Sequence, residues 1–258
     1  MDHNLVRITS LAKVGDSDTS SNFYINFENH KATHGISKII VKAIDIPNVF
    51  YNIDNKGYNV DNLGNNVYAY RDFQNNIQTI TLPIGQYTIE ELLTALNNLM
   101  AIPSKHTLSL NPTTKKVEIL TTDGDFQVLG RGDGNTMINV LGFTPTSGLV
   151  SQYLAPNFPD LSGISEVYIL SNQLGQSNLL TSDAITIPLL AHVPLTVPFG
   201  GIEHYISHHP EIDDIVYPNY EHGVSVRKVQ IIIVDGYNNI LDLGGLDVNI
   251  ILKVYHIL

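Results

Sequence analysis

Hydrophobic and polar positions alternate in short runs along most of this chain. Over 164–258 the runs are SEVYILSN (165–172), TIPLLAHV (186–193), SVRKVQIIIVDG (225–236) and LDVNIILKVYHIL (246–258). Gly, Pro and Asn turns separate them, and no helical stretch intervenes. Short strands at this spacing predict an antiparallel sandwich or barrel, because a parallel sheet would need helical crossovers that this half lacks. Upstream, Phe23 to Phe27 predicts a strand, and 37–46 (SKIIVKAIDI) predicts another that ends at Pro47, a residue unable to donate to a ladder. Segments 50–53, 67–70 and 77–82 add further strands, with an Asn/Gly-rich loop at 55–66. Residues 1–20 are polar, with Ser17, Thr19, Ser20 and Ser21 beside Asp16 and Asp18, and are expected to form a flexible N-terminal arm.

The period changes near residue 84. In Gly85-Gln86-Tyr87-Thr88-Ile89-Glu90-Glu91-Leu92, Thr88 and Glu91 form a capping box, with Tyr87 and Leu92 at the staple positions around it. Leu92, Leu93, Leu96, Leu99 and Met100 follow helical spacing until Pro103 stops the helix. A hairpin is expected at 107–110 and 116–121 around the turn Asn111-Pro112-Thr113-Thr114. A short helix at 136–141 should then end at Gly142. The segment 84–142 therefore reads as helix, hairpin and short helix inserted into an all-β chain. The domain expectation is an arm at 1–20 and a β domain at 21–258 carrying this α/β insertion.

Composition narrows the function classes. There is no Cys, so neither disulfides nor thiolate metal sites contribute. No apolar run reaches the ~20 residues that span a bilayer, and the N-terminus has no apolar core of a signal peptide, so no membrane insertion is expected. The net charge is −11, and no Lys or Arg occurs between Arg131 and Arg227. Phosphate contacts need clustered cations, so no direct nucleic-acid binding is expected there.

The run LPIGQYTIEELLTALNNLM (82–100), the hairpin after it, MINVLGF (137–143) and the strand-only remainder resemble the penton, or minor capsid, proteins of virophages and Polinton-like viruses, nearest to the Mavirus-type virophage pentons. The segment from PLLAHVPLTVPFGGIEHYISHHP to VSVRKVQIIIVDG (188–236) adds to the resemblance. It implies an all-β fold, a single jelly-roll β-sandwich with a small helix–hairpin–helix insertion. It also implies a structural role: a homopentamer at the icosahedral vertex of the virion, contacting capsomers of the major capsid protein and assembled inside the infected host cell. No enzyme activity and no cofactor are expected. Such a ring repeats one heterologous contact until the rotation closes. A receptor- or carbohydrate-binding jelly roll, such as a fibre head or lectin, is the rival reading. An enzyme built on a β-sandwich is a third.

Three constellations carry candidate chemistry. His192, His204, His208, His209 and His222 cluster near Glu211, Asp213 and Asp214, residue types that bind zinc or iron or titrate near pH 6. Of these, His204, His208 and His209 are the candidate metal ligands, against a solvated loop. The His-x-His order of a cupin site is missing. Arg131-Gly132-Asp133 matches a tripeptide that binds integrins on the vertex proteins of other viruses, and these three are the candidate receptor-binding residues. Gly and Asp are also what any tight turn selects. Asp123, Asp125 and Asp133 have calcium-ligand chemistry without the later Glu of an EF-hand loop.

Overall fold

A computed structural model describes residues 3–15, 18–27, 35–56, 64–100, 106–121, 124–174, 177–180, 186–206, 214–216 and 226–256. The first strands are β1 (His3–Thr9), β2 (Asn22–Asn26) and β3 (Ile36–Pro47). Then follow β4 (Val67–Arg71), β5 (Ile77–Thr81), the helix α1 (Ile89–Leu99), β6 (His106–Leu110), β7 (Val117–Thr121), β8 (Gln127–Val128) and β9 (Gln152–Leu154). The chain continues with β10 (Glu166–Leu170), β11 (Ser177–Leu180), β12 (Thr186–Pro194), β13 (Ile202–Ile206), β14 (Asp214–Val216), β15 (Lys228–Val234) and β16 (Asn249–His256). It divides into two compact units: unit 1 is Met1–Phe50 with Ile164–Leu258, and unit 2 is Tyr51–Gly163.

Unit 1 holds two five-stranded antiparallel sheets. One has the order β1-β16-β3-β13, with β14 also on β3; the other has the order β11-β12-β10-β15-β2. Successive strands β1, β2, β3 and β10 alternate between the sheets, as do β12, β13, β15 and β16. With β11–β12 and β13/β14 each taken as one position, this is the eight-position order of a jelly roll. The alternation in sequence explains the layering. Ile39, Val41, Ile44, Ile250, Leu252 and Val254 of one sheet, and Val167, Ile169, Val193, Val229, Ile231 and Ile233 of the other, are all buried. Period-2 patterning sends their neighbours to the outer faces.

The expected arm at 1–20 differs most from the structure. Residues 3–9 pair with β16 along their whole length, from His3↔Tyr255 to Thr9↔Asn249, and Ile8 is 1% exposed. An edge strand has a solvated outer face, so HNLVRIT carries few apolar residues and reads as polar.

Unit 2 is wider than the 84–142 segment. Tyr68, Tyr70 and Ile80 of β4 and β5 share a buried cluster with Leu92, Leu96, Ile119, Phe126 and Leu141. Two three-stranded sheets, β5-β4-β8 and β6-β7-β9, contribute to it. Helix α1 begins where expected. Thr88 Oγ1 accepts from the Glu91 amide at 3.3 Å, and Glu91 Oε2 accepts from the Thr88 amide at 2.8 Å. The segment 50–53 forms only the bridge Ile53↔Gly85. The short helix expected at 136–141 is instead a turn. Phe143 N donates to Ile138 O and Gly142 N to Asn139 O, a Schellman closure with Gly142 at φ 77°. Among the described residues no helix is long and apolar enough to cross a membrane.

Gly142 meets two constraints at once. Its left-handed φ disfavours any side chain, and a Cβ there would sit 2.5 Å from the carbonyl oxygen of Asn157. Gly142→Ala should lower stability by about 2 kcal/mol or more, because the left-handed conformation alone costs ~1–2 kcal/mol. The comparison is Thr88→Ala, which should cost about 1 kcal/mol through loss of the cap. Urea unfolding midpoints of the two variants check the order.

Candidate functional surfaces

The histidine candidates separate in the fold. His204 lies on β13 directly opposite Asp45 of β3, with Nδ1 2.9 Å from Asp45 Oδ1 on the outer face of the sheet. His192 on β12 is directly opposite Tyr168 of β10, stacks on its ring at 4.7 Å, and sits 2.9 Å from Glu166 Oε2. Each histidine thus meets one carboxylate in an exposed pair, an arrangement worth at most about 1 kcal/mol. His208, His209 and His222 lie outside the described residues. Among the described residues no group of three or more His, Cys, Asp or Glu converges as a metal set would.

Arg131, Gly132 and Asp133 form a 3-10 turn closed by Gly134 at φ 93°. The guanidinium of Arg131 donates to the carbonyl oxygens of Thr136 (2.9 Å) and Gly64 (3.4 Å), while Gly132 and Asp133 are exposed. The arginine end of the tripeptide is therefore tied into unit 2. Asp125 is exposed, and Asp123 lies outside the described residues.

Two buried polar groups serve structure. In unit 2, Tyr68 Oη is 3.0 Å from His106 Nε2, and the imidazole is edge-on to Tyr70 (4.3 Å) and stacked on Phe126 (5.1 Å). Burial, with Tyr70 adding to it, pushes the Tyr68 hydroxyl far above the usual phenol range, so it stays neutral. In unit 1, Glu203 is 9% exposed, and its Oε2 accepts from the Thr196 amide (2.6 Å), the Thr196 hydroxyl (2.9 Å) and the Val197 amide (3.2 Å). Burial pushes this carboxyl up. The Thr196 and Val197 donors, helped by nearby His204, outweigh it and hold the group below the ordinary glutamate range. Glu203 thereby fixes the loop between β12 and β13. A recess between the unit 1 sheets is lined by Val6, Ile8, Leu174, Val226, Leu252, Val254 and other apolar side chains. It is a packing gap without donors or acceptors to orient a ligand.

The outward residues of the β1-β16-β3-β13 sheet form registered rows that sequence reasoning missed. One row is Arg7–Ile251–Ala43–Ile206, and the next is Thr9–Asn249–Asp45–His204. Toward the other end, Leu5 pairs with Lys253, and His3 with Tyr255, which in turn pairs with Lys38. Leu5 is 70% exposed, Ile206 59% and Ile202 52%. Arg7 is held by the amide oxygen of Asn249 at 2.7 Å, and Lys253 sits 4.8 Å over the Tyr255 ring. Only a strand register, which the sequence does not display, could have assembled this face.

No family model matches the chain, and no curated protein does. Among solved structures it is similar to the mavirus penton protein, seen in a crystal structure, with a TM-score of 0.53, 13% sequence identity and 100% coverage of both chains. At this identity the likeness is one of fold, and it agrees with the jelly-roll strand order of unit 1.

Replacing Glu203 by Gln should cost about 2 kcal/mol at pH 7, the worth of charge-assisted bonds to the loop amides. The folded carboxyl titrates below its unfolded value, so its stabilisation is complete above the unfolded pKa of ~4.3 and is lost as pH falls through the folded value. The melting temperatures of wild type and Glu203→Gln should therefore converge with acidification, as thermal unfolding across a pH series would read.

Proposed function

We propose that this chain is a structural capsid protein, the penton of an icosahedral virion, which closes a homopentameric ring at the vertex against capsomers of a major capsid protein. The observation that carries the reading is the fold likeness to a penton protein over the full length of both chains. It is supported by the two-sheet jelly roll of unit 1 and by the exposed, registered outer sheet face. The groups with chemical potential favour the same reading. His204 and His192 are held in exposed strand-to-strand pairs, and Tyr68, His106 and Glu203 are consumed by packing and loop anchoring. Function in such a protein is shape: one side of each copy mates with a different side of the next, and the rotation closes after a fixed number of copies. A contact of this kind buries on the order of 800 Å² per partner.

Native mass spectrometry of the purified full chain tests the proposal. A dominant five-copy species is the expected result. A three-copy species would move the chain to the fibre-head or lectin class, and a species that stays single at high concentration would end the ring reading.

A further inference from the structure

Beyond the ring, and resting on that reading only for the identity of the partner, we infer that unit 2 carries a strand-addition site. The open edge of β5 (Ile77–Thr81) takes an extended, uncharged segment of a different polypeptide in the shell, which joins the β5-β4-β8 sheet as its next strand.

β5 has β4 on one side only. The bonds from Asp72 N to Asn76 O (2.9 Å) and from Leu82 N to Asn66 O (2.8 Å) bracket the ladder and fix its phase. Asn76, Gln78, Ile80 and Leu82 therefore turn their backbone groups toward β4, while Ile77, Thr79 and Thr81 turn theirs away. Among the described residues these three have no backbone partner on the outer side, and all three are exposed, Ile77 by 54%. Only another extended backbone answers a row of N–H and C=O groups repeated at every second residue. The hairpin is preorganised to receive it. Asp72 is buried, and its carboxylate accepts from the Gln74 and Asn76 amides (2.9 and 2.8 Å) and from the Gln78 side chain (2.9 Å). A rigid edge loses little conformational entropy on pairing.

Other edges of the chain are closed or guarded. At β6 the Asn97 side chain donates to Leu108 O (2.8 Å) and accepts from Leu108 N (2.9 Å), filling the edge as a strand would. At β2, Tyr24 N donates to Asp18 Oδ2 (3.0 Å) and Tyr24 O accepts from Val14 N (3.1 Å). Asn22 N donates to Thr19 Oγ1 (3.0 Å), and Asn22 O accepts from Thr19 N (2.9 Å). β1 carries Arg7, a charge of the kind that guards edges, and β9 is only three residues long. β5 has no such guard: no Asp, Glu, Lys or Arg occurs from Phe73 to Ile89, on a chain whose net charge is −11. Arg71, opposite Ile77, turns its guanidinium to Asn75 O (3.3 Å) and Oδ1 (3.1 Å). An uncharged edge pairs with an uncharged segment without burying a charge, and β-branched side chains suit positions beside Ile77, Thr79 and Thr81. In a closed head-to-tail ring no two-fold axis brings one β5 against another, and β2 and β6 of the next copy are already closed. The segment therefore comes from a different chain.

The test uses the full chain as wild type, Thr79→Lys and Thr79→Pro. The first variant places a charge on the edge, and the second removes an outward N–H at a position where an edge strand tolerates proline. The probe is a fluorescently labelled eight-residue peptide of alternating Thr and Val with blocked ends, beside a counterpart with Glu in place of each Thr. Binding is read by anisotropy, its location by hydrogen–deuterium exchange of segment 76–82, folding by thermal melting and assembly by native mass spectrometry. The neutral peptide should bind wild type and slow exchange in 76–82, and the Glu peptide should bind at least tenfold more weakly. Each variant should weaken the neutral peptide at least tenfold while the five-copy ring and cooperative melting persist. Absence of binding to wild type, or binding that neither variant weakens, would overturn the site. Rings lost in a variant that still melts cooperatively would give the edge to a second copy and overturn the assignment to a different chain. A wild-type chain that forms no ring yet binds the neutral peptide at 76–82 would defeat the ring reading and uphold strand addition.

Discussion

The architecture of unit 1 depends on one strand, β16, which lies between β1 and β3 and pairs with both. Its inward residues Ile250, Leu252 and Val254 are buried, and its backbone is satisfied on both sides. The pairing His3↔Tyr255 joins residues more than two hundred positions apart, so the sheet forms only when distant parts of the chain meet. Contacts of such separation make folding slow, and they leave β1 as an edge that the rest of the sheet must hold. Two register shifts along β16–β3, at Ile251/Leu252 and Tyr255/His256, keep the inward set continuous while the strands bend.

Much of the local structure was legible because the physics behind it is local. The capping box at Thr88 and Glu91, the Asx-type turn at Asn111, whose side chain accepts from the amides of Thr113 and Thr114, and the left-handed Gly142 all follow from neighbours in sequence. Strands buried on one face, such as β15 with Val229, Ile231 and Ile233, were readable from their alternation. What stayed hidden depends on partners far away. Edge strands β1 and β13 alternate too, but half of each faces solvent, so HNLVRIT and IEHYI carry weak apolar signals. The strands β4 and β5 were expected, yet alternation cannot say which sheet a strand joins; Tyr68 and Tyr70 place them with α1 in unit 2. The expected helix at 136–141 failed because its Schellman closure at Gly142 begins almost as soon as the turn does.

The same distinction governs the functional surface. The tripeptide Arg131-Gly132-Asp133 and the histidine-rich stretch drew attention because their residues are adjacent in sequence. In the fold, Arg131 binds carbonyl oxygens within unit 2, and His204 faces one carboxylate. The sheet face of Leu5, Arg7, Ile206 and Lys253 draws on three strands, so no window of sequence contains it. Surfaces that mate with copies are of this distributed kind, whereas short motifs suit ligands that are read by a loop. A face assembled by register therefore leaves little trace in motifs and more in register and exposure.

The measurement that bears most directly on this account is a cryo-electron microscopy reconstruction of the purified assembly at a resolution that separates strands. The account predicts a five-copy ring in which every copy keeps β16 between its own β1 and β3. Single copies, threefold particles, or a β1 that leaves β16 to run as a free arm would contradict it.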